Sequence, residues 1–127
     1  MAGTTDLLKH VLLLEDDHDI RVLLRMALEE KGFYVTMTAR ASDARTMLER
    51  VKIDFMVANV MLPDGTCFPA VDFARQKEVP VLLMTGSVEQ MARLQAEGEY
   101  YLAKPFHLSE LIRQISAALL EDVARTA

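Results

Sequence analysis

The chain has 127 residues, the usual length of one domain and enough to bury one substantial core. Fourteen basic against nineteen acidic side chains leave a net charge of −5, which argues against a broad nucleic-acid or anionic-membrane footprint. No apolar run approaches the ~20 residues of a membrane span, and Met1 to Lys9 lacks the basic-then-apolar order of a signal peptide, so a cytoplasmic protein is expected. The single cysteine, Cys67, has no thiol partner for a disulfide or a zinc site and reads as a small apolar side chain.

Apolar strand-like runs alternate with helical periodicity five times. Val11-Leu12-Leu13-Leu14 is the first strand. Ile20, Leu23, Leu24, Ala27 and Leu28 recur at helical spacing after it, and Lys31-Gly32 supplies a glycine C-cap. A second strand over Phe33–Met37 leads to a helix over about Ser42–Val51, with Ala44, Leu48 and Val51 inward. The third strand ends at Asn59. Pro63-Asp64-Gly65 marks a turn, and a helix over about Pro69–Lys77 tolerates its proline in the first turn. Val79–Met84 is the fourth strand, and Ser87 with Gln90 forms a capping box for a short helix through Ala96. Tyr100–Ala103 is the fifth strand, and Leu108, Leu111, Ile112, Ile115 and Leu119 mark the last helix.

Continuous apolar strands separated by helices indicate a parallel sheet covered on both faces. The expectation is one α/β domain over residues 1–127 with its core at about 9–121, irregular ends at Met1–Asp6 and after about Glu121, and no output domain. Ligands of such sheets bind beyond the carboxyl ends of the strands, and the polar residues fall there. Glu15 and Asp16 follow strand one, Asn59 closes strand three, Thr85 follows strand four and Lys104 follows strand five. Each has an ordinary explanation alone: acids such as Asp17 and Asp19 favour a helix N-terminus, a threonine can end a strand, and a lysine can be solvated. Their convergence on one edge weighs against a purely structural reading.

The motifs Leu14-Glu15-Asp16-Asp17, Asn59-Val60-Met61-Leu62-Pro63-Asp64-Gly65, Met84-Thr85-Gly86 and Tyr101-Leu102-Ala103-Lys104-Pro105-Phe106 resemble the receiver domain of two-component response regulators over nearly the whole chain. The resemblance implies a flavodoxin-like (βα)5 three-layer sandwich with a five-stranded parallel sheet of order 2-1-3-4-5. It also implies an acidic pocket that binds Mg²⁺ and accepts a phosphoryl group from a histidine kinase or phosphotransfer protein. By the same resemblance Asp16 is the direct metal ligand, Glu15 holds metal-bound water, and the Met61 carbonyl completes the protein's share, a sparse set in keeping with magnesium chemistry. Thr85 and Lys104 contact the phosphoryl group, Tyr101 is the aromatic switch, and the Lys104-Pro105 peptide is cis.

The departure is Asn59 at the phosphoacceptor position. A carboxamide is a very weak nucleophile, so phosphoryl transfer there is not expected. Losing one negative charge lowers the expected Mg²⁺ affinity, although the amide oxygen remains a ligand, and leaves Lys104 to hydrogen-bond Asn59. Asp64 and Asp17 are weak substitutes as acceptors.

A receiver-type module acting by protein–protein interaction, on a kinase or a downstream signalling protein, is the leading reading. The alternative is a phosphoacceptor receiver captured as a nonphosphorylatable Asp-to-Asn variant. The short spacing of 19 positions between Thr85 and Lys104 and the unorthodox Glu97-Gly98-Glu99-Tyr100 approach to strand five favour a natural origin. A remote third reading, a flavin- or nucleotide-binding flavodoxin-like protein, meets the objection that Glu15-Asp16-Asp17-His18-Asp19 would repel phosphate. The chain is not expected to be an enzyme. His10, His18 and His107 lack metal-ligand spacing and read as free surface groups, the eight methionines as core fill, and Met26, Ala27 and Leu28 as packing residues of the first helix.

Overall fold

The computed structural model describes residues 8–126. Its elements are β1 (His10–Leu14), α1 (His18–Glu30), β2 (Tyr34–Thr38), α2 (Ala41–Arg50), β3 (Phe55–Asn59), β4 (Met61–Leu62), β5 (Gly65–Thr66), α3 (Phe68–Gln76), β6 (Val81–Thr85), α4 (Val88–Ala96), β7 (Tyr101–Ala103) and α5 (Leu108–Thr126). The main sheet is parallel with order β2-β1-β3-β6-β7, and β4 and β5 form a separate small hairpin. Leaving that hairpin out of the count gives the 2-1-3-4-5 order of a flavodoxin-like fold.

Alternating side chains of the sheet feed two cores. On one face Leu12, Leu14, Met56, Ala58 and Leu83 pack with Ala44 and Leu48 of α2, Ala70, Val71 and Ala74 of α3, and Leu94 of α4. On the other, Val11, Leu13, Phe55, Val57, Leu82, Met84 and Leu102 pack with Leu24 and Leu28 of α1 and Leu111, Ile115 and Leu119 of α5. Each fully buried leucine contributes about 1.5–3 kcal/mol of transfer free energy, so strands buried on both faces set the architecture.

Helix ends explain most departures from the sequence expectations. Asp17 caps α1 by accepting from Ile20 N at 3.0 Å. At the other end Gly32, with φ +92°, donates to Glu29 O at 2.9 Å, and Phe33 N donates to Leu28 O at 3.1 Å. This is a Schellman turn. Because it occupies the Phe33 amide, β2 starts at Tyr34 and not at Phe33. The same pair of bonds closes α4 at Gly98, and closes α3 at Glu78, a non-glycine residue at φ +61°. Val51, expected inward, follows α2 in an extended conformation (φ −128°) and is exposed.

Leu23 and Met26 of α1, expected to pack, are 53% and 59% exposed, because the apolar stripe of that helix is wider than the face it buries. Of the methionines, Met56 and Met84 are fully buried, Met37, Met47 and Met91 are half-buried, and Met26 and Met61 are exposed; Met1 lies outside the described residues. β7 begins at Tyr101 and leaves Tyr100 exposed. The irregular segment expected after Glu121 is instead helical backbone through Thr126, whereas Met1–Asp6 lies outside the described residues.

Candidate functional site

Strand register brings the polar residues together. Leu14 pairs with Ala58, Asn59 with Met84, and Thr85 with Ala103, so the residues at and just beyond these positions share one edge. The sheet reverses direction of growth between β1 and β3, and the crevice at such a switch point is where an open α/β sheet presents a site. Glu15, Asp16 and Asn59 flank it.

Glu15 is completely buried. Its Oε1 accepts from Lys104 Nζ, and its Oε2 accepts from Asp16 N at 3.0 Å. Burial pushes the Glu15 carboxyl above its ordinary value, while the Lys104 ammonium pulls it down less strongly. Burial therefore dominates, yet the ammonium is what lets a carboxylate exist there at all. Arg21, one turn into α1, fixes the loop through its carbonyls: Nη1 donates to Glu15 O at 2.9 Å and to Asp16 O at 3.1 Å. The acids thus keep their side chains for other partners.

Asn59 Nδ2 donates to Met61 O at 2.9 Å and to Asp16 Oδ1 at 3.3 Å. The expected Lys104–Asn59 hydrogen bond does not form. A buried ionised carboxylate attracts an ammonium more strongly than a neutral amide does, so Lys104 turns to Glu15. Thr85 is buried, and its Oγ1 accepts from Ser87 N at 3.0 Å. That bond leaves only half of the expected capping box: Ser87 Oγ accepts from Gln90 N, but the Ser87 amide is already taken, and Gln90 Nε2 reaches Met61 Sδ at 3.5 Å instead. Lys104 N donates to Thr85 O at 2.8 Å, and the Lys104-Pro105 peptide is cis. Tyr101 is half-buried, and its hydroxyl accepts from Gln95 Nε2 of α4 at 2.7 Å.

Supporting contacts of this edge were not legible from motifs. Asp64, in the β4–β5 turn, accepts from Ala41 N at 3.1 Å and Ser42 N at 3.2 Å, capping α2 from more than twenty residues away. These bonds hold its carboxyl below the usual range. Both oxygens are thereby engaged, unlike those of an available acceptor. Arg75 of α3 makes a two-point bridge to Glu99, at 3.1 and 2.6 Å, which accounts for the unusual approach to β7. An apolar cleft of about 270 Å³ lies beside Lys104, lined by Ile20, Leu23, Leu24, Pro105, Phe106 and Leu108. Cys67 is buried and its thiol is pushed up to about 12, so it is inert. His10 is not a free surface group: its ring meets Thr36 Oγ1 at 2.7 Å and stacks edge-on against Tyr34, and burial lowers its pKa.

The site's oxygens do not fit a divalent cation as arranged. N–H groups of Asn59 face Asp16 Oδ1 and Met61 O, and the Lys104 ammonium holds Glu15 Oε1. Among the described residues no group of three or more His, Cys, Asp or Glu side chains is placed to hold a metal.

Residues 11–116 match the response regulator receiver domain, and the chain belongs to that family of two-component signalling modules. It is 36% identical over 115 residues to the protein PetR of Rhodobacter capsulatus, covering 87% of this chain and 48% of the relative. It is also 36% identical over 131 residues to the DNA-binding transcriptional regulator NtrC of Rhizobium meliloti, covering 98% of this chain and 26% of that protein. The chain therefore spans about half or less of these relatives' length. Among solved structures, the receiver domain of sensor histidine kinase PA1611 from Pseudomonas aeruginosa, with a magnesium ion coordinated in its active site cleft, superposes with a TM-score of 0.76 at 29% identity, covering 87% of this chain and 96% of that one. A CheY-like receiver protein from Methanospirillum hungatei has the same fold, with a TM-score of 0.82 at 23% identity over 93% of this chain and 98% of that one. No helix among the described residues is long and apolar enough to cross a membrane.

Proposed function

We propose that this receiver domain signals by protein–protein interaction, with a histidine kinase, a phosphotransfer protein or a downstream signalling protein, and that it is not phosphorylated at Asn59. One observation carries the reading: the residue closing β3 at the switch point is a carboxamide whose nitrogen is committed to Met61 O and Asp16 Oδ1. An aspartate there could attack phosphorus, whereas the amide lone pair is delocalised and a very weak nucleophile. In this reading Glu15, Asp16 and the Met61 carbonyl are the remnants of a Mg²⁺ site weakened by Asn59. Thr85 and Lys104 are the groups that would follow a phosphoryl oxygen, and Tyr101 is the switch residue. The net charge of −5 directs the domain toward protein and away from nucleic acid.

A second reading is a phosphoacceptor receiver in which Asn59 replaces an aspartate, and it is favoured by the presence of Thr85 and Lys104 on the same sheet edge as Asn59. Intact mass after treatment with Mg²⁺ and a small phosphodonor tests both. The unaltered chain is expected to stay unmodified, and Asn59→Asp to gain about 80 Da, the mass of one phosphoryl group. An adduct on the unaltered chain overturns the proposal.

A further inference from the structure

The pocket supplies its own positive charge. Three oxygens of the kind a hard cation takes each accept from a nitrogen of the chain itself: Glu15 Oε1 from Lys104, and Asp16 Oδ1 and Met61 O from the single amide nitrogen of Asn59. Two amide protons meet two acceptors on different segments, the β1–α1 loop and the β4 strand. The opposite orientation of the carboxamide would set its oxygen against a carboxylate and a carbonyl with no proton between them, so the N–H side faces inward.

The charge count agrees with the geometry. Glu15 and Asp16 bring two negative charges, Lys104 one positive, and Asn59 none, for a local total of −1. An aspartate at position 59 would make it −2 and would replace two donors by acceptors. Magnesium dehydrates reluctantly and depends on carboxylate charge to do so. Here it would also have to displace the ammonium, turn the amide and break both of its hydrogen bonds.

We infer that Asn59 and Lys104 replace the divalent cation, holding the β1–α1 loop, the end of β3 and Lys104 together in a metal-independent arrangement. This rests on reading the pocket as a receiver's acidic site, and it adds a definite regulatory consequence: the surface around the pocket is set without Mg²⁺.

The test uses ¹⁵N-labelled full chain titrated with Mg²⁺, and with Mn²⁺ as a paramagnetic probe, against ionic-strength controls. For the unaltered protein, amide signals of residues 15–17 and 59–61 are expected to hold their positions up to about 10 mM Mg²⁺, while in Asn59→Asp they shift with a dissociation constant at least tenfold lower. Asn59→Ala removes the N–H donors without adding charge, and its melting temperature is expected to rise with Mg²⁺ where that of the unaltered chain does not. It also serves if the aspartate variant folds poorly. Binding to the unaltered chain as tight as to Asn59→Asp would overturn the inference. So would a lack of metal response in both variants, because the amide would then not be what excludes the cation. The phosphodonor experiment reads a different quantity, so the unaltered chain can fail either test and pass the other.

Discussion

The two ends of the sheet are finished by different chemistry. At the carboxyl end, where helices begin, the caps are side chains: Asp17 on α1, Asp64 reaching across to α2, Ser87 on α4. Buried polar groups also collect there, with Glu15 and Thr85 inside and Lys104 and Arg21 tying the loops. At the amino end, where α1, α3 and α4 finish, closure is by backbone, through Schellman turns at Gly32, Glu78 and Gly98. A cleft of about 590 Å³ at that end is lined by solvated charges of both signs, among them Lys9, Arg50, Lys52 and Glu78. Backbone closure asks for one residue that accepts a left-handed φ, as Gly32, Gly98 and Glu78 do, whereas side-chain closure depends on the particular capping group. Substitutions at the carboxyl edge therefore change its chemistry, while the opposite edge goes on holding the fold.

Both ends are joined by the two cores that flank the sheet, and the largest expected effect comes from breaking one of them. Leu13→Ala, at a fully buried position, is expected to cost about 2–5 kcal/mol in urea unfolding, the range for cavities of this size. Amide exchange should quicken at both edges together; if only one edge responded, the two would be separate units. A smaller effect sharpens the claim about the amino end. Glu78 holds a left-handed conformation that glycine adopts freely, so Glu78→Gly is expected to gain about 1 kcal/mol in the same measurement. A loss would mean that the Glu78 side chain matters to that turn.

The smallest effect tests the carboxyl end. Asp64 has a depressed pKa when folded, so its contribution is present above the ordinary aspartate value of 3.8 and is lost as pH falls through the lower folded value. Asp64→Ala is expected to melt below the unaltered protein at about pH 7, with the gap closing as the pH falls below the ordinary aspartate value and through the lower folded one. A gap independent of pH would assign the loss to something other than the carboxylate cap.

The strands and the polar cluster at their ends could be read from the chain because burial on both faces writes strands as apolar runs, and parallel strands must deliver their ends to one edge, whereas the strand order came from the resemblance to receiver domains. The partners within the cluster could not be read. Lys104 chose Glu15 over Asn59 because Glu15 is buried, a fact no motif contains. Gln90 did not return to Ser87 because Thr85 already held that amide. The Asp64 cap and the Arg75–Glu99 bridge join segments more than twenty residues apart, and local spacing carries no signal for either. Leu23 and Met26 show the opposite limit: periodicity marks an apolar stripe, not how much of it a neighbour covers.

Because Asp64 lies in the hairpin immediately after Asn59 and binds the amides of Ala41 and Ser42, the start of α2 acts as a latch on the pocket's rim. Any excursion of that hairpin must first unfasten two N–H groups at the start of α2. Those two amides are a built-in gauge: their hydrogen-exchange rates report how often the rim opens, in the untagged protein and without any ligand.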